Sequence, residues 1–216
     1  RPDRRRRRQR NPVGDRRGDH LEFVEYSERA IRLVRESTVL DMLGLLTLNF
    51  PLMGRWTKNP ESLTPADLQR FKDSGINVFH IAVVTGGQNA YDSTMRFVSG
   101  WNSFLAGQDQ NFMRVDSPAD FDRVKSSGKI GILIGVQNSE HFRSTADVDT
   151  FHELGQRVSQ LTYNRRNLLG DGSTERTNGG LSDFGVSIVE RMNGVGMAVD
   201  VSHSGDQTTL DACSVS

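Results

Sequence analysis

The feature that most constrains the fold is a segment of helix, glycine and buried strand that occurs twice. The two copies read TPADLQRFKDSGINVFHIAVV over residues 64–84 and SPADFDRVKSSGKIGILIGVQ over residues 117–137. Each copy begins with Thr or Ser as N-cap and Pro at the first helical position. Its helix ends at Gly75 or Gly128, and an apolar strand typical of a sheet buried on both faces follows. The repeat therefore predicts βα units in a parallel α/β sheet or barrel.

Five apolar segments have the length of strands, and charged or amphipathic segments between them predict helices. The predicted strands lie at about 39–47, 77–84, 130–136, 159–163 and 197–202, with further helices at 21–37, 148–158, 181–192 and 206–212. A closed barrel of this type needs eight strands and typically about 250 residues. We therefore expect an α/β fold of the TIM-like (β/α) barrel type that is incomplete, with about five of eight βα units present. Its open sheet edges predict that residues 1–216 alone are poorly soluble or depend on a partner.

The first part of the chain has a different composition. Residues 1–17 hold nine arginines and two acidic residues, a block that cannot bury apolar area. We interpret residues 1–20 as a basic, disordered extension and residues 21–216 as the N-terminal part of the barrel. An arm for nucleic acid or an anionic membrane is the alternative. Nucleic acid is disfavoured, because no aromatic residue interleaves with the arginines.

Cysteine content and hydropathy bear on the compartment. The chain has one cysteine, Cys213, which excludes an internal disulfide framework. We find no run of about 18 apolar residues that would predict a transmembrane helix. No signal peptide is visible either, which favours a cytoplasmic location while the compartment stays open.

Polar residues at strand ends are the candidates for chemistry, because parallel α/β folds place their sites at the carboxyl ends of strands. His203 ends the last predicted strand and is a candidate metal ligand or general base. A structural histidine bonded to a neighbouring loop is the alternative. Alternation along that strand predicts that Asp200 faces the helix layer, opposite His203. His80 lies inside an apolar strand and is interpreted as a satisfied core histidine.

The segment GLSDFGVSIVERMNGVGMAVDVSHSGDQTTLDA over residues 180–212, with LIGVQN and LTYNRRNLLGDG upstream, resembles the membrane (renal) dipeptidase family. The similarity covers roughly residues 38–216. The resemblance implies a TIM-like barrel, a zinc cofactor and hydrolysis of dipeptides or similar small amides. It also implies a small-molecule or dipeptide substrate and is compatible with a homodimer.

The resemblance also shows where this chain departs from the family. The family holds metal with a His-x-Asp pair on its first strand, where Leu43 and Leu45 stand here. Its bridging glutamate follows Gly-Val on the third strand and is replaced by Gln137. Its substrate-binding histidine follows Leu-Thr and is replaced by Tyr163. The metal histidine of its Asp-x-x-His strand is kept as His203.

These replacements bear on the zinc that the family implies. Leucine has no lone pair, and the amide oxygen of glutamine is a weak substitute for a bridging carboxylate. Glu140 and His141 would restore a ligand pair only if the loop after Gln137 folds back.

Substrate binding and function follow as expectations. We expect four residues to bind substrate through hydrogen bonds, with bonding to loop backbone as the alternative: Gln137, Asn138, Tyr163 and Asn164. No catalytic residue is assigned. Metal-dependent hydrolysis is the first hypothesis. The second is a dipeptidase fold with a degenerate metal site that serves as a small-molecule binding module or an altered hydrolase.

Overall fold

A computed structural model of the chain describes residues 26–216, so the predicted basic extension, residues 1–20, lies outside the described residues. The described strands are β1 (Leu40–Asp41), β2 (Val78–Val84), β3 (Phe112–Arg114), β4 (Ile130–Gln137), β5 (Gln156–Gln160) and β6 (Ala198–Asp200). The α-helices are α1 (Glu28–Glu36), α2 (Phe50–Lys58), α3 (Pro65–Asp73), α4 (Ala90–Gly107), α5 (Ala119–Ser127), α6 (Thr145–Glu153), α7 (Asp183–Val195) and α8 (Asp206–Val215). Short 3-10 helices cover Pro60–Ser62 and Ser139–His141.

The strands form one parallel sheet in the order β1-β2-β4-β5-β6. Strand β2 pairs along β4 from Val78 opposite Gly131 onward. The other side of β4 is shared: β3 pairs with its first residues and β5 with its last. The result is the open part of a TIM-like barrel, as the repeat predicted. Most helices pack on one face of the sheet, and α5 contacts the other face through Val124.

Local signals in the sequence account for the helix ends. Thr64 and Asp67 form a reciprocal capping box at the start of α3, which satisfies two backbone N–H groups that the helix leaves unpaired. The Ser182 hydroxyl accepts from the Gly185 backbone at 3.0 Å at the start of α7. At its end Gly196 has φ 79°, a left-handed conformation that a glycine adopts without strain.

The two faces of the sheet have different characters. On the outer face, alternate residues of β2 and β4 pack with aromatic side chains from the helices, and the buried members include Phe79, Ile81, Ile132, Ile134, Trp56, Phe71 and Phe104. The inner face carries Val78, Leu133 and Val158 near the strand starts. His80, Gln137 and Gln160 lie on the same face nearer the carboxyl ends. Since side chains alternate along a strand, these residues share one face. That face is apolar near the strand starts and polar near the carboxyl ends.

The predicted first strand at 39–47 is wrong beyond Asp41. The Asp41 carboxylate accepts from the Leu43 backbone N–H at 3.0 Å, a local turn that ends the strand. Leu45 and Leu46 then have φ 39° and 52°, values that a strand cannot contain. Helix α2 follows this loop.

Other elements also differ from the prediction. Residues 85–116 contain α4 and β3, neither of which was predicted. Strand β5 begins at Gln156 instead of 159, and the helix predicted at 148–158 ends as α6 at Glu153. Gly155 adopts φ 104° between them, which ends the helix.

Candidate functional site

The carboxyl ends of the strands surround a cavity of about 360 Å³. Its polar lining includes Asp41, His80, Gln137, Gln160, Asp200 and His203. These side chains come from five strands or the turns that follow them. The sheet therefore brings together residues that are far apart in sequence, at the edge where parallel α/β folds keep their sites.

His203 lies in the turn after β6 and is held by two neighbours. Its Nδ1 is 2.7 Å from the side-chain oxygen of Asn164. Its ring stacks on Tyr163, with centroids 4.4 Å apart and planes 26° from parallel. An amide oxygen only accepts, so Nδ1 carries the proton and Nε2 of the neutral ring keeps a lone pair. His203 is thus positioned to accept a proton or to bind a cation through Nε2.

The predicted orientation of Asp200 is wrong. Asp200 lines the cavity together with His203, and its carboxylate accepts from the Ser202 backbone N–H at 2.8 Å. The alternation of β6 stops at Asp200. His203, in a turn with φ 61°, therefore does not follow the alternation of the strand.

His80 is buried, as predicted, but it is not fully satisfied. It is 3% exposed, and its Nδ1 is hydrogen bonded to the Met42 carbonyl. The structure gives its Nε2 no partner among the residues it describes. Burial is the main cause that lowers the pKa of His80. The neutral ring therefore has Nδ1–H directed to Met42 and an unpaired acceptor at Nε2.

Gln137, Leu43 and Leu45, which the resemblance sets at metal-ligand or bridging positions, line two neighbouring cavities at this edge of the sheet. Leu43 lines the 360 Å³ cavity and is 48% exposed. Gln137 lines the same cavity and a neighbouring one, which Leu45 also lines. These wall positions therefore present apolar surface and a neutral amide in place of ligands for a metal.

Tyr163, Asn138, Asn164 and Glu140 line an adjoining cavity of about 420 Å³. The Asn138 amide donates to the Thr85 carbonyl at 2.7 Å and accepts from the Asn167 side chain, also at 2.7 Å. Its hydrogen bonds therefore hold loops together, as in the alternative weighed for it. Asn164 lies beside His203 and fixes that ring.

Glu140 and His141 do not form the predicted ligand pair. The Glu140 carboxylate accepts from the Gly87 backbone N–H at 2.5 Å. His141 is fully buried, with Nε2 3.1 Å from the Gln156 side-chain oxygen and its ring against Phe142 and Phe151. Burial lowers the pKa of His141 to about 4. This histidine is therefore a core residue.

The donor chemistry of the site does not fit the zinc arrangement that the resemblance implies. Across residues 26–216 no group of three or more His, Cys, Asp or Glu side chains is arranged to hold a metal ion. Zinc sites in proteins use nitrogen, thiolate and carboxylate ligands, usually four in number. We therefore assign no chemical step to a metal in this part of the protein.

Sequence reasoning missed His80, Gln160 and Asp41 as residues of the cavity. Alternation gave a usable signal for two of them, because His80 and Gln160 each lie two residues beyond an inward valine, Val78 and Val158. Asp41 was hidden by the prediction of a longer strand. In the same part of the chain, no helix is long and apolar enough to cross a membrane.

Comparison with known proteins relates this chain to a peptidase family. A family profile described as membrane dipeptidase, Peptidase family M19, matches residues 27–216. Dipeptidase tcpJ of Claviceps purpurea is 35% identical over 100 residues, which cover 45% of this chain and 24% of that protein. A dipeptidase of Clonostachys rogersoniana, verJ, is 38% identical over 93 residues, or 42% of this chain and 24% of that protein.

Solved structures share the fold. An amidohydrolase from Pseudomonas aeruginosa superposes with a TM-score of 0.72 at 30% identity, over 86% of this chain and 52% of that one. A metallo peptidase from Rhodobacter sphaeroides, liganded with a phosphinate mimic of the dipeptide L-Ala-D-Ala, has a TM-score of 0.60 at 18% identity. That match covers 83% of this chain and 62% of the other. The chain thus spans about half the length of the amidohydrolase it matches.

Proposed function

Because this chain belongs to the membrane dipeptidase family, Peptidase family M19, we propose that it forms part of a site for dipeptides or similar small amides. We further propose that the whole protein hydrolyses them. The observation that carries the proposal is the cavity at the carboxyl ends of the strands, where Gln137, Asp200 and His203 converge. A concave site with a few convergent polar groups is typical of small-molecule binding.

The side chains of the cavity suit an amide ligand. A glutamine amide both donates and accepts, so Gln137 matches the carbonyl and the N–H of a peptide group. Asp200 accepts hydrogen bonds from a ligand N–H or ammonium group. His203 presents Nε2 as an acceptor, and histidine is the side chain best placed to take up a proton near physiological pH. We assign it the role of accepting a proton from a water molecule or from the ligand.

Binding without hydrolysis is the second candidate function. Leu43 and Leu45 favour it, because they contact the cavities where the resemblance places metal ligands and they offer no lone pair. A protein of this kind would retain dipeptide recognition and lose the activated water that hydrolysis requires.

The test uses the whole protein and a panel of unprotected dipeptides. Calorimetry measures binding, and release of free amino acids measures hydrolysis, each with added zinc and with a chelator. His203→Ala and Gln137→Ala are expected to weaken binding about tenfold, the scale of one or two lost hydrogen bonds. His152→Ala, outside the cavity, is the matched control.

The outcomes separate the candidates. Binding together with amino-acid release that depends on His203 supports the proposed hydrolase. Binding without release supports the second candidate. If no dipeptide binds, or if the His203 and Gln137 variants bind as well as the control variant, the proposed site is wrong.

A further inference from the structure

A third cavity, of about 540 Å³, opens between α2 and α4 beside the end of β2. Its apolar lining includes Leu45, Phe50, Met53, Phe97 and Trp101. None of the residues lining it is charged. Such a cavity disfavours ionic groups, because a charge moved there from water would have no partner. We refer to it as the side cavity.

The few polar groups of the side cavity are engaged or lie at its border. The Thr57 hydroxyl donates to the Met53 carbonyl of its own helix at 3.2 Å. Gln137 lines both the side cavity and the 360 Å³ cavity of the candidate site. Tyr163 lines the side cavity and the adjoining 420 Å³ cavity. The side cavity therefore borders the 360 Å³ cavity at Gln137 and the 420 Å³ cavity at Tyr163.

Large apolar side chains are exposed around this junction. Phe50 is 60% exposed, and Leu43 and Val84 are each 48% exposed. Contiguous apolar surface in a concave, polar-rimmed site marks a place where an apolar group binds. Leu45 lies in the wall of the side cavity, at a position where the resemblance expects a metal-binding aspartate. Leucine at this position therefore adds apolar surface to the site and supplies no metal ligand.

We propose that the side cavity binds a large apolar side chain, aromatic or branched aliphatic, of a ligand whose amide contacts Gln137. This specificity rests on the proposed function, since it names the class of dipeptide or small amide that the site takes. The volume lies within the range of roughly 300–1,000 Å³ found for ligand sites. Because its lining is uncharged, the side cavity is expected to bind best the ligands that bury the most apolar area.

Two helical glycines provide a matched test. A Cβ atom added at Gly54 or at Gly100 meets no other atom within 4 Å, so neither site resists a larger residue locally. Gly54, on α2, lines the side cavity, whereas Gly100, between Phe97 and Trp101 on α4, is not one of its lining residues. Gly54→Leu therefore fills the cavity, and Gly100→Leu is the control for replacing a helical glycine by leucine.

The experiment measures the affinity of the whole protein for L-Ala-L-Phe and L-Ala-L-Ala. The unmodified protein is expected to bind L-Ala-L-Phe about tenfold more tightly or better, the scale of a few apolar groups buried in a pocket. Gly54→Leu is expected to abolish this preference with little change for L-Ala-L-Ala, and Gly100→Leu to retain it. A thermal melt of each variant checks folding, and Gly54→Ala, a smaller change, is expected to reduce the preference in part.

Failure of this inference is distinguishable from failure of the proposed function. If the unmodified protein binds both dipeptides equally, or if Gly54→Leu weakens both alike, the side cavity is not the specificity site although dipeptides bind. If neither dipeptide binds, the proposed function fails, and benzyl alcohol then tests the cavity directly. Benzyl alcohol bound by the Gly100→Leu variant and excluded from Gly54→Leu supports an apolar site; equal behaviour of the two variants overturns it.

Discussion

Three residues at strand ends hold unusual backbone conformations around the cavities. Asn138, Asn164 and His203 have φ values of 73°, 63° and 61°. A left-handed residue other than glycine costs on the order of 1–3 kcal/mol and persists where its surroundings fix it. Side-chain hydrogen bonds supply that restraint here, from Asn138 to Thr85 and between Asn164 and His203. These hydrogen bonds therefore restrain the position of His203 in the wall of the site.

His141 makes a prediction about pH. Its pKa is lowered from 6.5 to about 4, so between these values the unfolded chain binds a proton that the folded chain does not. Stability therefore falls as the pH is lowered from 6.5 to 4, by at most about 3 kcal/mol. His141→Gln, which does not titrate, is expected to flatten this dependence in denaturant unfolding of the whole protein. A slope unchanged in His141→Gln, or changed equally by His152→Gln, would contradict the assignment.

Among the strands, β4 is the one on which the cavity depends. Its residue Gly135 lies directly under the imidazole of His80, and a methyl group there would overlap the ring. Because glycine has no side chain, the His80 ring of β2 can lie over β4 at this position. The close approach of the His80 ring thus explains glycine at this position of an apolar strand.

This contact predicts an energetic coupling between two strands. Gly135→Ala is expected to destabilise the protein by about 1–3 kcal/mol through overpacking. In a His80→Ala background the same change is expected to cost much less, because the overlapping ring is gone. A double-mutant cycle by denaturant unfolding measures the difference. Equal costs in the two backgrounds would show that the ring does not constrain Gly135.

At the scale of elements, the sequence predicted the helix–glycine–strand units well and the first strand poorly. Strands β2 and β4 were visible because they are mostly apolar and each follows a helix that ends next to a glycine. Strand β1 was overextended, since an apolar run does not reveal the turn at Asp41 or the left-handed Leu45. Helix α4 was missed although Val98, Trp101 and Leu105 repeat at helical spacing.

The location of the candidate site could be predicted from the sequence, whereas several of its side-chain contacts could not. Strand order alone brings His203 and Gln137 to one edge, as expected for parallel sheets. The core position of His141 depends on packing against Phe142 and Phe151, which are contacts that spacing along the chain does not specify. The inward position of Asp200 depends on where β6 ends, and strand ends are the least predictable feature of a sequence.

At the scale of the whole molecule, the described sheet has β1 and β6 as its outer strands. The chain spans about half the length of the amidohydrolase structure it matches. The proposed activity therefore concerns the whole protein, and in this chain Gln137, Asp200 and His203 line one wall of the proposed site. Leu43 adds apolar surface to this cavity, and Leu45 adds it to the side cavity.

Zinc binding by the whole protein tests the central claim, that this wall recognises its ligand through its own side chains without the zinc ligands of the family. Competition against a chromophoric chelator is measured for the unmodified protein, for His203→Ala, and for the combined variant Leu43→His, Leu45→Asp and Gln137→Glu. We expect zinc affinity to be the same with and without His203, and the combined variant to gain a tight site that depends on His203. Tight zinc binding by the unmodified protein that is lost in His203→Ala would contradict the account.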